Sequence, residues 1–159
     1  MPGVLHNALA QSIGMVADIR AGKQAFLGKH RELLIEESPK AAKVTDSIDL
    51  DGYRKDAGPS EPRWDYLVGV DGVVTSVVAI EIHPARADEV PAMVRKKRAA
   101  QALLKAECQR DPVRGVWHWV ASGKVDVSRA GSAERRLKEA GIAFPKTRLR
   151  IPRDLLSPA

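Results

Sequence analysis

The succession of apolar patterns along the chain predicts an α/β fold: a central mixed β-sheet with flanking helices, in the order α-β-β-β-α-β, followed by a small C-terminal αβ appendage. Three observations predict it. Residues 64–83 hold two β-branched runs on either side of Asp71-Gly72, residues 87–109 carry a long helical stripe directly behind them, and residues 115–122 alternate around two tryptophans. At 159 residues a single domain is expected, with the core over residues 1–122 and the appendage over 123–159.

The elements follow in order. From Val4 to Glu37 the apolar residues Leu5, Leu9, Ile13, Val16, Ile19, Phe26, Leu33 and Leu34 recur at helical intervals, which predicts either one helix softened at Gly22 and Gly28 or two helices. The alternating stretch Val44 to Leu50 predicts a first strand, and the polar residues Asp51 to Pro62 a mobile loop. Trp64 to Val70 and Val73 to His83 predict a β-hairpin, with Pro84 stopping its second strand. Acidic Asp88 and Glu89 before Pro91 mark a helix start, and the stripe of Val90, Met93, Val94, Ala100, Leu103 and Leu104 carries that helix to about Gln109. Gly115 to Ser122 reads as a strand, with Trp117 and Trp119 in the core, unless one is exposed to stack on a base, and His118 on the opposite face as a packed or surface residue and not a ligand. Ser122-Gly123-Lys124 reads as a phosphate-friendly turn, and Gly123-Lys124 leads into a short strand, Val125 to Val127. Ser132 to Ala140 reads as a helix capped by Gly141, and Thr147 to Ile151 as an edge strand.

Composition narrows the classes. The apolar share of 44% and charged share of 29% are those of a globular chain and exclude a disordered or collagenous one. The lone Cys108 excludes an internal disulfide framework and a cysteine-based zinc cluster, so a reducing cytoplasm is the expected compartment. No apolar run reaches the length of a membrane span, and Asp18, Arg20 and Lys23 interrupt any secretory apolar region. Net charge is +6, concentrated in Arg95-Lys96-Lys97-Arg98 and in residues 124–153, where nine Lys or Arg face three acids. A solvated basic surface accounts for such charge as readily as a phosphate-binding one.

Asp65 and Glu81 interrupt otherwise apolar strands. A carboxylate there is costly unless it is paired or holds a cation, and two on adjacent strands suit Mg²⁺ or Mn²⁺. A two-residue Asp71-Gly72 turn puts the two acids on opposite faces. A three-residue loop with Gly72 as a bulge pairs Gly69 with Val73 and Asp65 with Val77, and puts the acids on one face; that bulged form, or another bulge nearby, is expected. The plain alternative is a strand-end acid paired at the surface with Arg63 or Arg86.

This element order, with an acid early in the second strand and Glu81-Ile82-His83 at the end of the third, resembles the PD-(D/E)xK nuclease superfamily, the restriction-endonuclease-like fold, over about residues 1–122. The resemblance implies a Mg²⁺- or Mn²⁺-dependent endo- or exonuclease in which Asp65 and Glu81 hold the metal. Asp65 follows Pro62 at a distance, where the family has an immediate proline. The family's lysine, which positions or deprotonates the attacking water, is replaced here by His83. Its role would fall to Lys96 or Lys97 from the next helix, to His83 as base or extra ligand, or to no residue, leaving a catalytically inactive nucleic-acid- or protein-binding member of the fold. Glu32 or Glu36 would supply the acid that family members often carry on the first helix. Arg95, Lys97, Arg98 and Lys124 are the expected contacts to the nucleic-acid backbone, DNA before RNA, and a homodimer is open because many nucleases dimerise.

Overall fold

The computed structural model describes residues 2–53 and 62–156. It is the α/β architecture expected. Five strands, β1 (Arg20–Ala21), β3 (Ala42–Asp49), β4 (Tyr66–Gly72), β5 (Ser76–Arg86) and β6 (His118–Asp126), form one sheet in the order β1-β3-β4-β5-β6. All neighbours are antiparallel except β5 and β6, which run parallel. That parallel step requires a crossover, supplied by the 19-residue helix α4 (Val90–Cys108) after a 3₁₀ turn at Ala87–Glu89.

Both faces of the sheet are covered, which is why β4 and β5 read as nearly continuous apolar runs. Leu67, Val77, Ala79, Trp117 and Trp119 pack with Met93, Ala100 and Leu104 of α4, Leu5 of α1 (Val4–Ala8), Met15 of α2 (Ile13–Asp18) and Leu137 of α5 (Ser132–Ala140). The other face packs Val68, Val70, Val78, Ile80 and Ile82 against Phe26, Leu34, Leu149 and Ile151. Here strand β2 (Leu34–Glu36) pairs in parallel with β7 (Leu149–Ile151) as a separate two-stranded sheet, so the expected C-terminal edge strand lies across the main sheet and not along it. The short helices α3 (Leu50–Tyr53) and α6 (Arg153–Leu156) complete the order.

The N-terminal helical stretch is where the sequence pattern misleads most. Only α1 and α2 are α-helical; β1, a 3₁₀ segment at Gly28–Leu33 and β2 replace the remainder. A tertiary contact fixes where the first helix starts. The carboxylate of Asp46, buried in β3, accepts the backbone N–H groups of Leu5 (2.9 Å) and His6 (2.8 Å) and the Thr45 hydroxyl (2.7 Å), docking α1 end-on against the sheet. Ser12 then caps α2 by accepting from Met15 N–H, and Gly22 takes a left-handed φ of +53°. The loop expected over Asp51 to Pro62 falls mostly outside the described residues; α3 occupies its first positions.

The hairpin keeps its strands and changes its turn. Val70 pairs with Ser76 and Tyr66 with Ile80, so five residues, 71–75, connect β4 and β5 where three were expected. Gly72 does not turn because β4 runs on to pair with Ala42 of β3. Its φ is +149°, and a Cβ there would overlap the Ala41 carbonyl. Gly72→Ala should therefore lose about 2 kcal/mol or more of stability in urea unfolding; an unchanged midpoint would show that β4 lifts off Ala41 without cost. Pro84 and Gly123-Lys124 likewise fail to end their strands. β5 and β6 run through them at an irregularity between His83–Ala121 and Ala85–Val125, where β6 carries two more residues than β5. Helix α5 and its left-handed Gly141 cap (φ +72°) are as expected.

Candidate functional site

The hairpin register decides the site. Continuing the pairing of Tyr66 with Ile80 by one residue sets Asp65 opposite Glu81. The expected loop length was wrong, yet the shared face holds, because lengthening the connection by two residues preserves the side-chain parity. The face is the one under α4, where Leu67, Val77 and Ala79 pack.

At this point side chains replace the ladder. Asp65 N–H donates to Glu81 Oε1 (2.9 Å), and Ile82 N–H donates to Asp65 Oδ2 (2.9 Å). Glu81 is fully buried, and its Oε2 meets the Lys96 ammonium of α4 at 2.5 Å. Lys96 is thus the helix lysine brought to the second acid. Lys97 is not: the 100° turn per helical residue sends its ammonium to the Ala140 carbonyl at the end of α5 (2.5 Å) and over the Trp117 ring (5.8 Å). Burial lowers its pKa, and its position is that of a structural cap and not of an acid-site or backbone contact.

His83, two residues after Glu81 on β5, has Nδ1 3.7 Å from Glu81 Oε2 and Nε2 2.8 Å from Glu89 Oε2. Glu89 also accepts from Arg86 Nη2 (2.8 Å). In the sequence Glu89 marks only a helix start; the 3₁₀ turn at Ala87–Glu89 brings it back beside β5, and no spacing rule marks that return. The surface alternative for the two acids does not apply to Glu81, which is buried and paired with Lys96. Arg63 pairs with Asp51 (2.7 Å), and Arg86 with Asp88 and Glu89.

The electrostatics are those of two desolvated acids sharing a space. Burial pushes Asp65 up to about 6, against the Ile82 N–H and Lys96, which favour its charged form. Burial and then the Asp65 charge push Glu81 up to about 8, again opposed by Lys96. Near neutral pH the pair therefore holds about one proton and the Lys96 charge offsets the other carboxylate. Asp49 and Asp51, close by on β3 and α3, add to the Asp65 shift.

The remaining expected residues are elsewhere. Glu36 lies in β2, accepting from Val44 N–H (3.1 Å) and pairing with Lys23 (3.9 Å), and Glu32 lies in the 3₁₀ segment, so neither sits on a first helix beside the acids. Arg95 and Arg98 are exposed on α4, and Lys124 is exposed at the β6 irregularity. Trp117 and Trp119 are both buried, Trp119 donating to the His83 carbonyl (3.1 Å). His118 is buried on the opposite face, where desolvation pushes it down to about 4, near Lys146 and Asp154. Of the two places expected of it, packed or surface, it takes the packed one.

Both Glu81 oxygens are engaged, Oε1 by the Asp65 N–H and Oε2 by the Lys96 ammonium. Asp65 has Oδ2 on the Ile82 N–H and no bond on Oδ1 among the described residues, so a hard divalent cation would bind through Asp65 and reach Glu81 only by displacing Lys96. Among the described residues no group of three or more His, Cys, Asp or Glu forms a metal cage. Mg²⁺ needs none, being held by one or two carboxylates with water and substrate oxygens. No helix among the described residues is long and apolar enough to cross a membrane. No family model matches this chain, and no curated protein or solved structure matches it.

Proposed function

We propose that the chain is a divergent metal-dependent nuclease of the PD-(D/E)xK type, cleaving phosphodiester bonds of nucleic acid in a reducing compartment such as the cytoplasm. One observation carries the reading: a buried Glu81 beside a half-buried Asp65, with the Lys96 ammonium against Glu81. This is the arrangement the resemblance asks for, with the lysine drawn from the following helix. Asp65 and Glu81 would hold Mg²⁺ or Mn²⁺, which when bound lowers the pKa of water and offsets phosphate charge. Lys96 Nζ balances the carboxylates and faces the incoming phosphate as a fixed positive charge. His83 Nδ1, on the same face, is the group that takes a proton from the attacking water. Arg95, Arg98 and Lys124 hold the backbone by charge, which suits a protein whose tryptophans are buried and unable to stack on bases.

The test is cleavage of circular, linear and single-stranded DNA and of RNA with Mn²⁺ or Mg²⁺. The expected result is cleavage by the native chain and a drop on the order of 10²–10³-fold in Asp65→Ala and Glu81→Ala. The same Lys96–Glu81 pair also favours a second reading, a non-catalytic nucleic-acid- or protein-binding member of the fold, because it neutralises the site without a metal. Salt-dependent retention of DNA with no cleavage under any cation would establish that reading and overturn the first.

A further inference from the structure

We propose that Glu89 is the positioning residue for His83: it fixes the tautomer of the ring and keeps Nδ1 turned toward Glu81. The catalytic half of this proposal rests on the nuclease reading above, and the tautomer half stands on geometry alone.

A lysine at the motif position makes no demand on its surroundings, because an ammonium has three equivalent donors and no tautomers. A histidine does. Its two ring nitrogens are chemically different, and only a second group decides which of them carries the proton. His83 has such a group. Glu89 Oε2 is 2.8 Å from Nε2, and a carboxylate only accepts, so the Nε2 proton is the one retained. In the singly protonated ring the lone pair is then on Nδ1, which lies 3.7 Å from Glu81 Oε2, facing that oxygen but too far to bond it. Glu89 is itself held. Its other oxygen accepts from Arg86 Nη2 at 2.8 Å, and its backbone is fixed where the 3₁₀ turn enters α4. The His83 backbone is fixed in turn by the Trp119 indole N–H on its carbonyl (3.1 Å) and by pairing with Ala121. The ring is therefore secured at both ends, with one nitrogen left for chemistry. This is the carboxylate–imidazole pairing that orients histidines in other catalytic sites, here assembled beside a carboxylate pair.

The experiment records long-range ¹H–¹⁵N correlations of the His83 ring in uniformly ¹⁵N-labelled protein, assigned by comparison with His83→Gln, in the native chain, Glu89→Leu and Glu89→Gln. The native chain is expected to show the proton on Nε2. Glu89→Leu should show a mixture of tautomers, and Glu89→Gln, which keeps an acceptor oxygen, should restore the native signature. In parallel, Glu89→Leu should lower kcat for Mn²⁺-dependent DNA cleavage by about 10–100-fold with KM little changed, and Glu89→Gln should recover most of the loss. A proton on Nδ1 in the native chain, or an unaltered tautomer in Glu89→Leu, overturns the proposal; the first holds even where a variant fails to fold. Native protein with the expected tautomer and no cleavage overturns the nuclease reading and the catalytic half with it, and supports the tautomer half.

Discussion

Lys96→Met should unfold more easily as pH rises, with a loss under about 1 kcal/mol at pH 5 and about 3 kcal/mol at pH 9. The sign follows from the two raised carboxyls. Both Asp65 and Glu81 keep protons in the folded chain at a pH where the unfolded chain has lost them. Their favourable contribution is therefore complete in acid and is lost as pH climbs through about 6 and then about 8. In the native chain the Lys96 ammonium, 2.5 Å from Glu81 Oε2, limits that loss by balancing the charge that appears. Without it, the first carboxylate to ionise has no counter-charge, and the second ionises in a fully desolvated position. Urea unfolding at pH 5, 7 and 9 reads the effect. A loss of equal size at all three would show that Lys96 contributes packing of its methylene stem and not charge. On the proposed nuclease reading, the same variant should cleave nucleic acid at least a hundredfold more slowly, on the order expected for removing a preorganised charge at a reacting phosphate.

Asp46→Ala should cost about 2–4 kcal/mol and release the first helix. Among the described residues its carboxylate is the acceptor for two backbone N–H groups, Leu5 and His6, and it sits against Gly3 and Gly69, where side chains larger than hydrogen would collide with it. Alanine leaves both donors unpaired in a buried place. Asp46→Asn retains an acceptor for one and should cost about half as much. Hydrogen exchange of the Leu5 and His6 amides checks the mechanism separately from the global stability. Protection equal to that of the native chain in Asp46→Ala would show that another acceptor takes over.

These two acids mark different limits of sequence reading. Asp65 and Glu81 are legible because each breaks an apolar run, and the cost of burying a charge makes such a break informative wherever it occurs. Asp46 is buried as Glu81 is, and nothing in Val44-Thr45-Asp46-Ser47 distinguishes it from the polar positions of an ordinary edge strand. Its role exists only through a segment 40 residues earlier in the chain. The helix after the hairpin was legible through its stripe, its proline and its acidic start. Choosing between Lys96 and Lys97 was not, because adjacent helical residues differ by direction alone, and the direction of α4 over the sheet is set by packing of Met93, Ala100 and Leu104.

The amino-acid sequence by itself determined the α/β order, the hairpin strands, the long crossover helix, the α5 helix with its glycine cap and the two carboxylates. Each is written in local terms: a period of 2 or 3.6, a turn residue, a charge in an apolar run. Tertiary structure decided the rest. Contact with Asp46 fixed where the first helix starts, the approach of Ala41 to Gly72 moved the hairpin turn, and a bulge carried β5 and β6 through residues that normally end strands. It also decided which basic group meets Glu81 and which acid holds His83. Those outcomes depend on which distant atoms come to compete for the same backbone groups and charges, and a chain read one window at a time does not contain that competition.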